Sequence, residues 1–440
     1  MIMLKNKNYY ILVVILFIIA IVGLDIYNSN STKVIKPQTS FFYKSYSQYS
    51  QNQTNNNVVG NVNSVLISKV LMSKNINGEN FDTTPIVAGD AIYVGTMNKA
   101  NLSGGLLALS RVNGNIIWKD NFSNWIMTNP VVVPQINMVF IGSGNSIKYG
   151  PNNSYRGLGN NFVYGINIST GAIMWKYKTL GENMPTPIYN NGILYFVNGN
   201  RTFYALDAIT GKELWTLNIG SIVSMSSPIL IGNNVFFGGS KPYKFFDVNI
   251  QTKSIKWAIS FKNLPGGVTI TGGLDDTTPV YYKGYLYTNA TMLKDYTTNS
   301  GYEYLYKINA GTGNIVWSLN EGYGVINELS DPMEGSVPTL KGNTIYTGSN
   351  TTRSIFAVNI NTKKVDWSYK INGMINAPFI IIKSYIYAIT GNGNIYVIDK
   401  SNGAFDAKRT LGGPEIASGL SFYSGKFYVT TGNGNFYILH

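Results

Sequence analysis

Six of the chain's seven tryptophans close one recurring phrase, and that recurrence constrains the fold more than any other feature. The phrase is a tight turn followed by a short, mostly apolar run. It reads "NGNIIW" (113–118), "TGAIMW" (170–175), "TGKELW" (210–215), "TKSIKW" (252–257), "TGNIVW" (312–317) and "TKKVDW" (362–367). A further copy, "NGAFDA" (402–407), keeps the turn but has Ala407 where tryptophan is expected. A second phrase precedes each copy: a small residue, proline, an apolar pair, a turn and then an aromatic run. It starts as "TPIVAGDAIYVG" (84–95), recurs as "TPIYNNGILYFV" (186–197) and "SPILIGNNVFFG" (227–238), and ends as "SGLSFYSGKFYV" (418–429), eight copies in all. Such self-similarity marks a repeat architecture. From about Val58 onward, runs of Val, Ile, Tyr and Phe alternate with Asn-Gly, Gly-Asn and Thr-Gly turns, with no helical period. The region is therefore all-β.

Each pair of phrases holds four short strands, which is the content of one propeller blade. Successive tryptophans stand 40 to 60 residues apart, and the longest gaps hold insertions at 142–161 and 289–303. Eight strand-pair phrases against seven turn phrases leave the last unit one strand short, which would expose a sheet edge. The apolar stretch "SVLISKVLM" (64–72) is the expected donor. The expectation is an eight-bladed propeller of four-stranded antiparallel blades over 58–440, closed by its N-terminal strand. The pieces "TGNGN" at 390–394 and 431–435 read as hairpin turns, since no helix follows them to make a phosphate loop.

Phrases such as "LYFVNGNRTFYALDAITGKELW" (194–215) resemble the repeat of pyrroloquinoline-quinone-type β-propellers. That superfamily includes quinoprotein alcohol dehydrogenases and the BamB lipoprotein of the outer-membrane barrel-assembly machinery. The resemblance implies that Trp118, Trp175, Trp215, Trp257, Trp317 and Trp367 dock each blade on its neighbour. It also implies what a dehydrogenase would need: calcium held by a Glu, an Asn and an Asp, with an Asp as base. Glu182–Asn183 and Asp275–Asp276 are the pairs that could imitate this set, and the adjacent cysteine pair of those enzymes is absent.

Composition narrows the function further. There is no cysteine, which excludes disulfides and thiolate chemistry, and the single histidine is His440. Charged residues make up 12%, about half the usual ~25%. That suits an exported protein or one facing strong acid. The net charge of +13 is scattered, without a Lys/Arg run, so nucleic acid is not an expected partner. Lys5 and Lys7 precede the apolar run Tyr9–Leu24, so residues 1–27 are expected to be a transmembrane signal anchor, followed by a polar linker over 28–57. The propeller would then lie outside the cytoplasm, in a periplasm or at the cell surface. Nine Asn-x-Ser/Thr sequons, Asn289 and Asn350 among them, are permissive of glycosylation and no more.

Candidate sites lie where one blade connects to the next. Asp82, Glu182, Asp276, Glu334 and Glu415 precede the first strand of five units and could form an acidic ring at the channel mouth. Alternatively, Asp82 and Asp276, both in "DTTP", brace the turn before proline. Trp125 falls outside the repeat position and is a candidate exposed binding aromatic. Together these features lead to a membrane-tethered scaffold that binds envelope or surface proteins, with no catalytic residues, metal or cofactor. The alternatives are a quinone- and calcium-dependent dehydrogenase, or a polysaccharide-binding module using Trp125 and exposed tyrosines.

Overall fold

Each pair of phrases folds as one four-stranded antiparallel sheet. The third shows the pattern: Ile188–Asn190, Ile193–Val197, Thr202–Asp207 and Glu213–Asn218, hydrogen-bonded in that order and called A to D here. Equivalent sheets span 86–122, 131–179, 229–260, 280–325, 339–370 and 380–410. The computed structural model describes residues 58–59, 67–76, 78–325, 335–413 and 419–440. The expected anchor at 1–27 and nearly all of the linker and blade-closing stretch up to residue 66 lie outside them. No helix among the described residues is long and apolar enough to cross a membrane. The pieces at 390–394 and 431–435 are B–C hairpin turns, with Gly393 and Gly434 at positive φ.

The eighth sheet closes the ring. Ser421–Tyr423, Lys426–Thr430 and Asn435–Leu439 form its A, B and C strands, and Val70–Asn75 forms its D strand. His440 and Lys69 exchange both backbone hydrogen bonds at 2.9 Å. The donated strand thus lies a few residues beyond the start of the apolar stretch that marked it. A further pairing was not legible in the sequence. Val58–Val59 runs parallel to Ile381 and Ile382 on the free edge of blade 7's A strand, which places it on the channel side of that blade.

Burial follows the layering. The B and C strands are buried on both faces, because blades pack face to face, and read as near-continuous apolar runs such as "ILYFV". The D strands alternate, as Ser254–Ser260 does residue by residue, because only one side of the rim is covered. In blades 2 to 7 an Asx residue braces the C–D turn, as Asp207 Oδ1 does by accepting the backbone N–H of Ile209 and Thr210 at 3.1 and 2.8 Å, and in blade 1 Ser110 takes that place.

The tryptophans dock on the C–D turn of the next blade. Trp118, Trp175, Trp257 and Trp367 donate Nε1–H to the carbonyls of Ile168, Ala208, Ala310 and Lys400 at 3.0, 3.0, 3.1 and 3.0 Å. In each of those turns a glycine at positive φ lies under the indole. A Cβ on Gly211 would stand 2.5 Å from Trp175, and one on Gly403 would stand 2.6 Å from Trp367. In blades 4 and 6 the glycine position holds Lys253 and Lys363, at φ 54° and 59°. The indoles facing those two turns belong to Trp215 and Trp317, and Trp317 Nε1 is buried without a partner. The missing tryptophan at Ala407 has an equally local cause. Its neighbour, blade 8, changes chain segment between strands C and D and has no C–D turn to receive an indole. Arg409 docks there instead, donating Nε–H to the Ile67 carbonyl at 2.6 Å and a guanidinium N–H to that of Ser68. In blade 8 itself Met72 takes the tryptophan position, opposite Ile438, and meets Gly114 of blade 1.

Substitution at the turn tests this account. Lys363→Gly removes a left-handed non-glycine residue and lets Trp317 reach the Ile360 carbonyl, so thermal or denaturant unfolding should show a gain of about 1 kcal/mol. Gly211→Ala should lose more than that, because the added Cβ meets both the strain and the indole. A neutral or destabilised Lys363→Gly variant would refute the glycine–indole coupling.

Candidate functional site

In a four-stranded antiparallel blade the D–A links and the B–C connections emerge on one face, and the A–B and C–D turns on the other. The indole contacts therefore occupy one face of the propeller, and the irregular segments gather on the opposite face. The insertion at 142–161 is a B–C connection, and Asp82, Trp125, Glu182 and Asp276 all lie in D–A links or the segment leading into blade 1.

Of the described acids, Asp82 and Asp276 come together and Glu182 does not. Asp82 and Asp276 line one central cavity, together with Met127, Met184, Met225 and Asn376. Asp82, the three methionines and Asp276 occupy one position, three residues before the proline of blades 1 to 5. The channel wall is thus thioether over three consecutive blades and carboxylate on either side. Glu182 is fully buried and makes an ion pair with Arg156, Nε to Oε1 at 2.7 Å. Glu334 and Glu415 lie outside the described residues. Trp125 is not an exposed aromatic: it is 8% exposed, and its indole N–H donates to the Asn98 carbonyl at 3.0 Å. The bracing of "DTTP" in blade 1 involves its threonines. Thr83 Oγ1 accepts the Gly95 N–H at 2.7 Å, and the Thr84 N–H donates to Asn129 Oδ1 at 2.8 Å.

A second constellation adjoins the methionines. The insertion folds back as a hairpin, Lys148–Tyr149 against Tyr155–Arg156, and Arg156 joins Glu182 and Gly199 in a cycle of three backbone bonds. The Arg156 N–H donates to the Gly199 carbonyl, the Glu182 N–H to that of Arg156 and the Gly199 N–H to that of Glu182, at 3.0, 2.9 and 2.9 Å. Gly157 permits this approach, since a Cβ there would stand 2.2 Å from the Glu182 nitrogen. The Arg156 guanidinium reaches Met184 Sδ at 3.9 Å. Lys241 and Arg201, in the B–C turns of blades 4 and 3, lean on the same insertion. Lys241 Nζ donates to the Asn153 carbonyl at 3.1 Å, and Arg201 Nε to that of Ser154 at 2.8 Å.

Beneath these cations lies Asp275, 7% exposed. Its Oδ2 accepts the Ser240 hydroxyl at 2.5 Å, and its carbonyl receives the N–H groups of Ser224, Met225 and Ser226. Burial pushes its carboxyl above the ordinary range, against the Ser240 hydrogen bond and the pull of Arg156 and Lys148. Burial also lowers Lys241, aided by repulsion from Lys148, Arg156 and Arg201 and opposed by Asp275. The group is a cluster of cations around a buried acid, joined to the methionine-lined cavity through the Arg156–Met184 contact. Sequence reasoning missed Lys148, Arg156, Arg201, Lys241 and Ser240. Aligning the B–C turns across repeats, rather than the D–A links alone, would have found Arg201 and Lys241.

The calcium-and-quinone set does not fit. Glu182 is committed to Arg156, Asn183 Nδ2 donates to Ser143 O and Thr179 Oγ1 at 3.2 and 2.7 Å, and Asp275 accepts from Ser240. Among the described residues no three or more carboxylate, imidazole or thiolate groups gather as metal ligands.

Comparison with known proteins gives a consistent setting. The chain is 26% identical over 343 residues to a tetrathionate hydrolase of Acidithiobacillus ferrooxidans, and 25% identical over 394 residues to one of Acidianus ambivalens. These matches take in 73% and 74% of this chain and 66%, just under two thirds, of each relative. Among solved structures, BamB from Moraxella catarrhalis superimposes with a TM-score of 0.60 at 16% identity, covering 84% of this chain and 98% of that one, a likeness of fold. The profile of the family described as outer membrane protein assembly factor BamB matches residues 125–294 and 301–406. Because those stretches make up well over half of the sequence and run through blades 2 to 7, the chain belongs to the BamB family.

Proposed function

We propose that this propeller is an enzyme acting on a small sulfur oxyanion of the thionate class, with tetrathionate as the first substrate to try. The observation that carries the reading is the cluster of cations around Asp275, beside the methionine-lined cavity. A thionate is a dianion, with a sulfonate at each end of a sulfane chain. Lys148, Arg156, Arg201 and Lys241, against the charge of Glu182 and the Asp275 carboxyl whose pKa burial raises, supply the positive field it needs. The adjoining thioethers of Met127, Met184 and Met225 offer a soft, polarisable wall for the sulfane sulfurs. Asp275, in its protonated form, would give a proton to the departing sulfur. The two relatives named tetrathionate hydrolase support the substrate class.

The test is tetrathionate consumption by the purified chain across acid to neutral pH. Activity should fall as pH rises through the elevated pKa of Asp275, since the protonated form is the working one. Asp275→Asn should lower kcat by ~10²-fold or more. Lys241→Ala should raise KM with a smaller effect on kcat. A folded chain that consumes no tetrathionate at any pH from about 3 to 7 would sink this reading.

Family membership supports a second reading, in which the propeller serves as an assembly scaffold for envelope proteins. It would be held outside the cytoplasm by the segment 1–27. The exposed tips of the two long connections, Leu158 and Tyr296, are its natural contact points. A photo-crosslinking residue at position 158 or 296 should capture one defined envelope protein in cells. Capture of none would remove the scaffold reading.

A further inference from the structure

The interface between blades 5 and 6 encloses two more acids that neither reading uses. Thr291, Glu303 and Glu321 stand side by side on the B, C and D strands of blade 5. Thr291 is the cross-strand partner of Glu303. Glu321 sits where the register shifts opposite Glu303, between the pairs Tyr304–Asn320 and Tyr302–Tyr323. Cross-strand partners share a face of the sheet, and Asn289, two residues before Thr291, shares it too. Asn289, Thr291 and Glu303 are fully buried and Glu321 is 4% exposed.

The two carboxylates are treated unequally. Glu303 accepts the backbone N–H of Ser336 at 3.2 Å and that of Asn350 at 2.6 Å, which clasps blade 6 to blade 5 and opposes the burial that raises its carboxyl to about 7. Glu321 accepts no backbone N–H and has only the Thr347 hydroxyl beside it as a donor, and Asn289 Oδ1 and Thr291 Oγ1 are buried without partners. Asn289 spends its amide nitrogen on Thr347 Oγ1 at 2.6 Å, and the Thr347 hydroxyl, beside Glu321, is directed at the Gly348 carbonyl at 3.3 Å. Burial and the charge of Glu303 both push the Glu321 carboxyl upward.

All of the unmet atoms are oxygens. A proton on Glu321 would satisfy one of them, whereas a cation satisfies the whole set at once. From these contacts we propose that Glu303, Glu321, Asn289 and Thr291 form a buried Ca²⁺ site that joins blade 5 to blade 6. Two carboxylates, an amide carbonyl and a hydroxyl are hard oxygen donors. Calcium takes six to eight such ligands in flexible geometry, with water completing the shell. Two charges of the ion would balance the two carboxylates. Burial of Asn289 also closes its sequon to glycosylation in the folded protein.

The experiment is equilibrium dialysis of the full chain with Ca²⁺ alone at neutral pH, after EGTA treatment, beside thermal unfolding with and without the ion. One Ca²⁺ per chain and a Ca²⁺-dependent rise in Tm are expected. Glu321→Gln should weaken binding at least tenfold while the metal-free protein stays folded with an equal or higher Tm, because the repulsion from Glu303 is gone. Thr291→Val, which keeps the shape and removes one ligand, should weaken binding by a smaller factor and serves if Glu321→Gln does not fold. No saturable binding to the unsubstituted chain would overturn the proposal and leave a proton shared by the two acids. Unchanged binding in both variants would also overturn it, by placing the ion elsewhere. The readout is metal binding, so it is independent of thionate turnover.

Discussion

The ring depends on one contact repeated around it, an indole laid flat on a glycine turn of the next sheet. A single four-stranded blade cannot bury its faces alone; it becomes stable when a neighbour covers them. The indole adds direction to that burial. Its N–H must meet a carbonyl one residue past the end of the C strand, and its ring must pass over a turn without a Cβ. Those two demands fix the angle and height of each blade relative to the next. Where the turn carries lysine instead of glycine, the contact relaxes and an indole nitrogen is left unsatisfied, as at Trp317.

Because these contacts lie on the face of the A–B and C–D turns, the opposite face is free of that structural demand. The D–A links and B–C connections there vary in length, carry most of the buried charge and hold residues in left-handed backbone, such as Arg201 at φ 63° and Lys241 at φ 49°. Strain of this kind persists where the surroundings over-determine it. Here the surroundings are the insertion over blades 2 to 4, clamped by Gly157 and Gly199 against the Arg156–Glu182 pair. One face builds the ring and the other gathers the Arg156–Glu182 pair and Asp275.

The architecture was legible because it is written in local signals: a turn, a period-2 strand and an indole, repeated often enough to count. Even the exceptions were informative, since Ala407 and the missing eighth phrase point to the junction where Val70–Asn75 completes the sheet of Asn435–Leu439. The site was less legible because its members are neighbours in space only. Glu182 read as a channel acid and is instead the buried partner of Arg156, a residue 26 positions away in an insertion with no repeat register. Trp125 read as exposed because it breaks the pattern, yet its N–H finds the Asn98 carbonyl across the first blade. Val58–Val59, too short to signal a strand, pairs with blade 7 only because that A strand has a free edge.

A chain with few charges has placed several of its acids where water does not reach, and each is balanced differently. Glu182 has Arg156 at 2.7 Å, Asp275 has a hydroxyl beneath a group of cations, and Asp247 has Lys256 at 3.8 Å and is pushed by burial to about 7. A carboxyl whose pKa is raised by folding binds its proton more tightly in the native state than in the unfolded one. Its contribution is therefore fully present below the unfolded pKa of ~4 and is lost as pH rises through the folded value. For Asp247 that window runs from about 4 to about 7, and Asp275 and Glu321 act with the same sign. In acid, protons alone satisfy all three. Toward neutrality Asp247 and Asp275 turn to nearby lysine and arginine. Among the described residues Glu321 is paired with no such cation and faces Glu303 instead, so its charge is opposed where the others' charges are met.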